Sequence, residues 1–133
     1  MYLGRLYTGT SGFAGEVGHT QAPTYESAED ISRYQELITK NVIDSTCTCG
    51  RSDCYDYKIR SYVFEKSEKE FSDMSAENIK EYLTNHPLKA ELLGKYIGNM
   101  INILTNWLNI DLIIFTGKLN NINCETIKEN SQR

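Results

Sequence analysis

One histidine and three closely spaced cysteines constrain this chain more than any other feature of its sequence. The thiols are Cys47, Cys49 and Cys54, and His19 precedes them. Thiolates and imidazole are ligands that zinc prefers, and three sulfurs with one nitrogen fill a tetrahedral structural site. The sequence therefore predicts a closed zinc site, whose ion fixes the geometry of the segments attached to it.

The alternatives to a metal site are a disulfide, a redox pair or inert thiols. The chain opens on Met-Tyr-Leu-Gly-Arg, without the apolar segment of a secretion signal. We therefore expect a cytoplasmic protein, and in the reducing cytoplasm clustered cysteines are more often metal ligands than disulfides. Gly50 follows the second thiol, where a positive φ or amides directed at sulfur would favour a tight turn. Cys124 is isolated, and we expect an unligated thiol there.

Composition limits the class of protein. A chain of 133 residues suffices for one domain with a modest core, and 40% hydrophobic residues are typical of a folded soluble protein. The net charge is −4, without a dense cluster of Lys and Arg, so we expect this segment to bind no nucleic acid directly. No apolar run approaches the length that crosses a bilayer, so we expect no membrane partner.

Hydrophobic residues at helical spacing predict four helices. Their apolar residues are, in chain order, Ile31, Tyr34 and Ile38; Tyr55, Ile59, Tyr62 and Val63; Ile79, Tyr82 and Leu83; and Leu93, Ile97, Ile101, Leu104 and Leu108. The second helix runs toward Lys66. Ser27 begins a capping-box sequence before the first helix, and Ser75 is placed to cap the third. Pro87 suits the first turn of the fourth helix.

Two other segments predict strands. Residues 2–8 have strand composition, interrupted at Leu3-Gly4-Arg5 by a hairpin tip. The apolar run 112–115 is consistent with a strand buried on both faces, and Thr116-Gly117 then turns the chain. The residues beyond Leu119 are polar, and we expect 120–133 to form a frayed tail.

Two carboxylates flank the predicted metal site. Glu16 precedes His19 by three residues, and in an extended segment the two would face opposite sides unless the chain bends, for instance at Gly18. Asp56 follows the last cysteine by two residues, so a metal would hold it in a definite place. Carboxylates accept hydrogen bonds and imidazole can donate one, a combination that suits vicinal sugar hydroxyls. The alternative is that both acids are solvated surface groups.

Three stretches of this sequence resemble the ROK family of bacterial sugar kinases and sugar-responsive transcriptional repressors. They are Leu3–Tyr7, the segment Gly12-Phe13-Ala14-Gly15-Glu16-Val17-Gly18-His19, and the Cys-x-Cys-Gly-x-x-x-Cys knuckle at 47–54. Residues 94–102 and 112–117 also resemble the helix and strand that lead to the family's nucleotide loop. The resemblance implies an α/β fold, part of an actin-like, ribonuclease-H-like ATPase lobe. We expect residues 1–119 to form part of its C-terminal lobe, with 20–46 as a helical insertion and 47–54 as the zinc knuckle.

The resemblance also implies roles for single residues. The zinc ligands would be His19, Cys47, Cys49 and Cys54. Glu16 and His19 would contact a hexose or amino-sugar, and the imidazole would use one nitrogen for zinc and the other for sugar. Asp56 lies where the family usually carries a sugar-binding glutamate. Gly117 corresponds to one glycine of the nucleotide-binding pair.

Departures from the family pattern predict that this chain alone is not a catalyst. The Asp-x-Gly-x-Thr phosphate loop and the Asn-Asp sequence of the catalytic base do not occur in these 133 residues. The double glycine appears as Thr116-Gly117, and Asp53 replaces a glycine of the knuckle. We therefore expect ATP and Mg²⁺ to bind only when the missing lobe is supplied.

Three interpretations of the whole chain stay open. Met1 falls within what should be a hairpin of the second lobe, so we expect part of a ROK protein. It would be the sugar- and zinc-binding portion of an ATP-dependent hexose kinase, the sugar-sensing segment of a repressor, or a non-enzymatic remnant. Apolar surface that the missing lobe would cover also predicts a homo-oligomer.

Overall fold

Five α-helices, one 3₁₀ turn and one π-helical segment form the secondary structure of the described chain. A computed structural model describes residue 4 and residues 6–23, 28–39 and 46–119. The α-helices are α1 (Ala28–Thr39), α2 (Tyr55–Lys58), α3 (Glu68–Asp73), α4 (Ala76–Asn85) and α5 (Pro87–Leu108). Val17–His19 form the 3₁₀ turn, and Ile59–Phe64 form the π-helical segment, which continues α2 directly.

The core lies where α5 packs against α1, α4 and the π-helical segment. Its buried residues include Tyr34 and Leu37 of α1; Tyr55, Ile59, Val63 and Phe64 of α2 and the π-helical segment; Ile79 and Leu83 of α4; and Leu92, Leu93, Tyr96 and Ile97 of α5. Each large apolar side chain buried in this way contributes about 1.5–3 kcal/mol. This core fixes α2, which follows the cysteine segment directly, against the rest of the protein.

The predicted starts of α4 and α5 are confirmed. Ser75 Oγ accepts a hydrogen bond from the backbone N–H of Asn78 at 3.1 Å, which caps α4. Pro87 is the first residue of α5, where its missing N–H costs nothing. α5 ends at Leu108, and the capping residue Asn109 adopts a left-handed conformation with a φ of 47°.

Helix α3 is absent from the sequence prediction, although its start signal is present. Ser67 Oγ accepts from the N–H of Glu70 at 3.3 Å, and the Glu70 carboxylate accepts from the N–H of Ser67 at 2.9 Å. This reciprocal pair is a capping box, which the Ser-x-x-Glu sequence could have revealed. The helix is too short to show a convincing apolar period.

The second predicted helix is confirmed in position but not in form. It begins at Tyr55 as α2 and becomes π-helical from Ile59, and it ends at Phe64 rather than near Lys66. Glu65 then adopts a left-handed conformation with a φ of 52° and terminates it. A π-helical turn contains more residues than an α-helical turn, so the side chains after Ile59 lie at different angles around the helix axis. The apolar spacing of an α-helix therefore does not describe this segment.

The predicted α/β character is not confirmed, because no strand occurs among the residues that the structure describes. The run 112–115 is not a strand, and Leu112 and Ile114 are 72% and 75% exposed. The prediction of a strand buried on both faces is wrong for this segment, since the described chain gives its backbone no neighbouring strand to pair with. Residues 6–8 are not in a strand either, and residues 2, 3 and 5 of the predicted hairpin lie outside the described residues.

Two residues of the apolar helical pattern lie outside the core. Ile31 of α1 is exposed, and Leu37 is buried instead. Leu108 is exposed because the last turns of α5 extend past the elements that cover its first half. None of the described helices combines the length and the apolar character needed to cross a bilayer. The predictions for Ser27, Cys124 and the tail at 120–133 lie outside the described residues.

Candidate metal and sugar site

Backbone contacts hold the segment after His19 against the cysteine segment. Gln21 forms an isolated antiparallel bridge with Cys54. The N–H of Ala22 donates to the carbonyl of Asp53 at 2.8 Å, and the N–H of Tyr55 donates to the carbonyl of Thr20 at 3.2 Å. These bonds join two parts of the chain that are distant in sequence, and they bring His19 to the thiols.

The four predicted ligands meet at one point. Their nitrogen and sulfur atoms all lie within 4.8 Å of one another. The Sγ atoms of Cys49 and Cys54 are 3.8 Å apart, and Sγ of Cys47 lies 3.5 Å from Nδ1 of His19. A tetrahedral zinc with bonds of about 2.3 Å to sulfur and about 2.0–2.1 Å to nitrogen requires about 3.8 Å between sulfurs and about 3.5–3.6 Å between sulfur and nitrogen. These two distances match that geometry, and the four residues together could hold a metal ion.

A tight turn directs the first two sulfurs. The N–H of Gly50 donates to the carbonyl of Cys47 at 2.8 Å, and the N–H of Cys47 donates to the carbonyl of Arg51 at 2.7 Å. Gly50 has a φ of +83°, which confirms the positive φ expected there. Cys54 caps α2, and its sulfur accepts from the N–H of Tyr57 at 3.4 Å. A hydrogen bond of this kind stabilises a thiolate.

The surroundings give the thiols different acidities. Burial, together with the neighbouring sulfurs, raises the pKa of Cys54 to about 12. Desolvation also acts to raise the pKa of Cys49, but hydrogen bonds from the backbone of Arg51 and from the other thiols lower it overall. A divalent cation offsets the cost of a buried thiolate, because the ligand is bound in its deprotonated form.

The disulfide alternative is not seen in the structure. Cys47, Cys49 and Cys54 are all free thiols. The 3.8 Å between the sulfurs of Cys49 and Cys54 is well beyond the bond length of about 2.05 Å in a disulfide. The cluster therefore has the spacing of ligands around an ion rather than of bonded sulfurs.

The 3₁₀ turn places Glu16 and His19 side by side. The N–H of His19 donates to the carbonyl of Glu16 at 3.0 Å, and side chains three residues apart eclipse in such a turn. Oε2 of Glu16 lies 3.8 Å from Nε2 of His19, whereas Nδ1 faces Cys47. The bend expected at Gly18 is therefore this turn, without a positive φ at the glycine. When Nδ1 binds a cation, Nε2 carries the proton and becomes a hydrogen-bond donor.

Asp56 faces the metal ligands and a buried arginine. Its Oδ2 lies 3.2 Å from Sγ of Cys47 and 3.0 Å from Nε of Arg60. A Cβ placed on Gly18 would lie 3.8 Å from Cβ of Asp56, so the turn that carries His19 passes close to this carboxylate. Glu16, His19 and Asp56 thus border one cysteine cluster.

Sequence reasoning missed Arg60. Its side chain is almost completely buried in the π-helical segment, and its guanidinium donates to Asp56. The pairing offsets part of the cost of burying the charge and holds the carboxylate in place. The spacing of four residues between the acid and the base was a visible signal for the pair. The burial of Arg60 depends on the core packed around α5, and the residues next to it in the sequence do not indicate it.

Asp53 and Thr116, which stand where the family pattern has glycine, both lack a positive φ. Asp53 has no positive φ, so a side chain there causes no strain, and it accepts a hydrogen bond from Nε of Arg51 at 2.9 Å. Gly117 has a φ of +85° in an exposed turn, which confirms the turn expected at Thr116-Gly117. Its nucleotide-binding role stays a prediction.

Comparison with known proteins gives one family. Neither a curated protein nor a solved structure matches the chain. The family model described as "ROK family" matches residues 2–130. This match includes the Glu16–His19 turn and the whole cysteine segment. Because the match covers nearly all of its sequence, the chain belongs to the ROK family.

Proposed function

We propose that this chain is the zinc-containing, sugar-binding portion of a ROK protein, which in complete form is an ATP-dependent hexose kinase or a sugar-responsive repressor. One observation carries the proposal, namely the position of the His19 ring between two groups. Its Nδ1 lies 3.5 Å from Sγ of Cys47, and its Nε2 lies 3.8 Å from Oε2 of Glu16. A metal bound by the thiols and Nδ1 would therefore orient the Nε2–H donor of His19 beside the carboxylate acceptor of Glu16.

Zinc is structural in this proposal. Three sulfurs and one nitrogen fill its four positions, so no water is activated on the ion. The ion would join the turn that carries His19 to the N-terminus of α2. It would hold in place the two segments that contribute Glu16 and Asp56.

The sugar would bind through hydroxyl groups at this surface. Glu16 is 62% exposed on its side chain and can accept hydrogen bonds from hydroxyls. Nε2 of His19 would donate one bond. Arg60 occupies only part of the acceptor capacity of Asp56, so this carboxylate can still accept from the ligand. A sugar with adjacent hydroxyls suits this mixture of acceptors and one donor.

Calorimetry of Glu16→Ala tests the sugar site. Glucose, N-acetylglucosamine, mannose and xylose are titrated into the zinc-loaded wild type and the variant. A hydrogen bond to a charged group contributes about 1.5–3 kcal/mol, so we expect binding of the preferred sugar to weaken about 10- to 100-fold. Glu81→Ala on the exposed face of α4 is the matched control. Equal heats for wild type and Glu16→Ala would remove this residue from the site.

The isolated chain is proposed to bind sugar without phosphorylating it. Its 133 residues contain neither the phosphate loop nor the Asn-Asp base that a ROK kinase needs. We expect a coupled assay with ATP, Mg²⁺ and each of the four sugars to show no turnover above the protein-free rate. Sustained ADP release that requires a sugar would contradict the proposal.

A further inference from the structure

A cavity of about 360 Å³ opens between residues 21–23 and one face of α5. Four carboxamides line it, those of Gln21, Asn99, Asn102 and Asn106. None of its lining residues is a predicted metal ligand or one of the acids of the proposed sugar site. The volume lies within the range of small-molecule sites, about 300–1,000 Å³.

The carboxamides converge because of helix geometry. Asn99, Asn102 and Asn106 are spaced three and four residues apart, which places them on one face of α5. Gln21 reaches this face from the segment that pairs with Cys54. None of the described residues forms a hydrogen bond with these four amide groups, so that part of the chain uses neither their donors nor their acceptors.

The rest of the wall is apolar and uncharged. Ile103 lies between the asparagines of α5, and the buried ring of Tyr55 closes another side. The Tyr55 hydroxyl is buried and lacks a hydrogen-bond partner among the described residues. None of the described residues that line the cavity carries a charge, so none of them would neutralise an anionic ligand.

We propose that this cavity is a second binding site, specific for a neutral saccharide. A carboxamide both donates and accepts, as does a sugar hydroxyl, so amides satisfy several hydroxyls without a charge. The apolar wall suits the C–H face of a sugar ring. The described lining residues offer no cation to a phosphate group, so we expect sugar phosphates to bind more weakly than neutral sugars. This inference is independent of the proposed role of Glu16 and His19.

Side-chain amide NMR tests the site directly. The ¹⁵N–¹H signals of Asn99, Asn102 and Asn106 are followed in the zinc-loaded chain during titration with glucose, N-acetylglucosamine, mannose and xylose at up to tens of millimolar. We expect at least one sugar to shift these signals in a saturable way. Glucose 6-phosphate should shift them at least severalfold more weakly than glucose.

Two variants separate this site from the one near the metal. Asn102→Leu, or the milder Asn106→Ala, should weaken the saturable shift about threefold to tenfold, the value of one neutral hydrogen bond. Glu16→Ala should leave it unchanged, whether or not the metal-adjacent surface binds sugar. Zinc content and the melting temperature of each variant confirm that the fold is intact. The inference is overturned if no sugar shifts the α5 amides, if both asparagine variants respond like the wild type, or if Glu16→Ala abolishes the response.

Discussion

Chelation of zinc, or the substitution Cys54→Ser, will unfold this protein or lower its melting temperature steeply. A structural zinc site contributes about 10 kcal/mol or more of apparent stability, whereas small domains are stable by only about 5–15 kcal/mol in total. Cys54 is buried and caps α2, and in the proposal it also ligates the ion, so the serine variant would lose several interactions together. Circular dichroism melting curves with and without chelator measure the effect, and elemental analysis gives the zinc content.

Cys124→Ser is the matched control for this experiment. It removes the one thiol that lies outside the ligand set, so it should keep both the melting temperature and one zinc per chain. Reduced, purified wild type without stoichiometric metal would contradict the prediction. So would a melting temperature that neither the chelator nor Cys54→Ser changes.

The substitution Leu92→Ala is expected to destabilise the protein by about 2–5 kcal/mol. Leu92 is 0% exposed in the middle of the core that joins α5 to the π-helical segment. Truncation there loses the apolar burial of the side chain and leaves a cavity that the packed helices fill only in part. Urea unfolding of the zinc-loaded wild type and variant gives the difference in their free energies of unfolding. An unchanged m-value shows that both proteins expose the same amount of surface when they unfold.

Leu108→Ala supplies the control on the same helix. This leucine is 66% exposed at the end of α5, and its truncation should change the free energy of unfolding by no more than about 0.5 kcal/mol. If both variants lost the same stability, the buried face of α5 described above would be wrong.

The features that could be predicted from sequence are the ones set by local chemistry. The caps at Ser75 and Pro87 and the apolar period between them define α4 and α5. The cluster of Cys47, Cys49, Cys54 and His19 was expected from residue types that zinc prefers, and the structure brings their donor atoms within 4.8 Å of one another. Gly50 adopts the conformation that its place after two cysteines suggests.

The features that could not be predicted depend on contacts between distant segments. The run 112–115 has the composition of a strand, but a strand requires neighbours that the described residues do not supply. The burial of Arg60 depends on the core packed around α5. The asparagine spacing on α5 is visible in the sequence, but the cavity exists only because residues 21–23 lie opposite that face.

Under the proposed function, the His19 imidazole between the cysteine cluster and Glu16 would make sugar binding depend on the supply of metal. Under the proposed function, a newly made chain would acquire its carbohydrate specificity only after metallation, since the same ring serves both partners. In a cell short of zinc, the Nε2–H group of His19 would then not be oriented to donate to a sugar, even where sugar is abundant. Metal homeostasis would act before carbohydrate availability in determining what this protein can do.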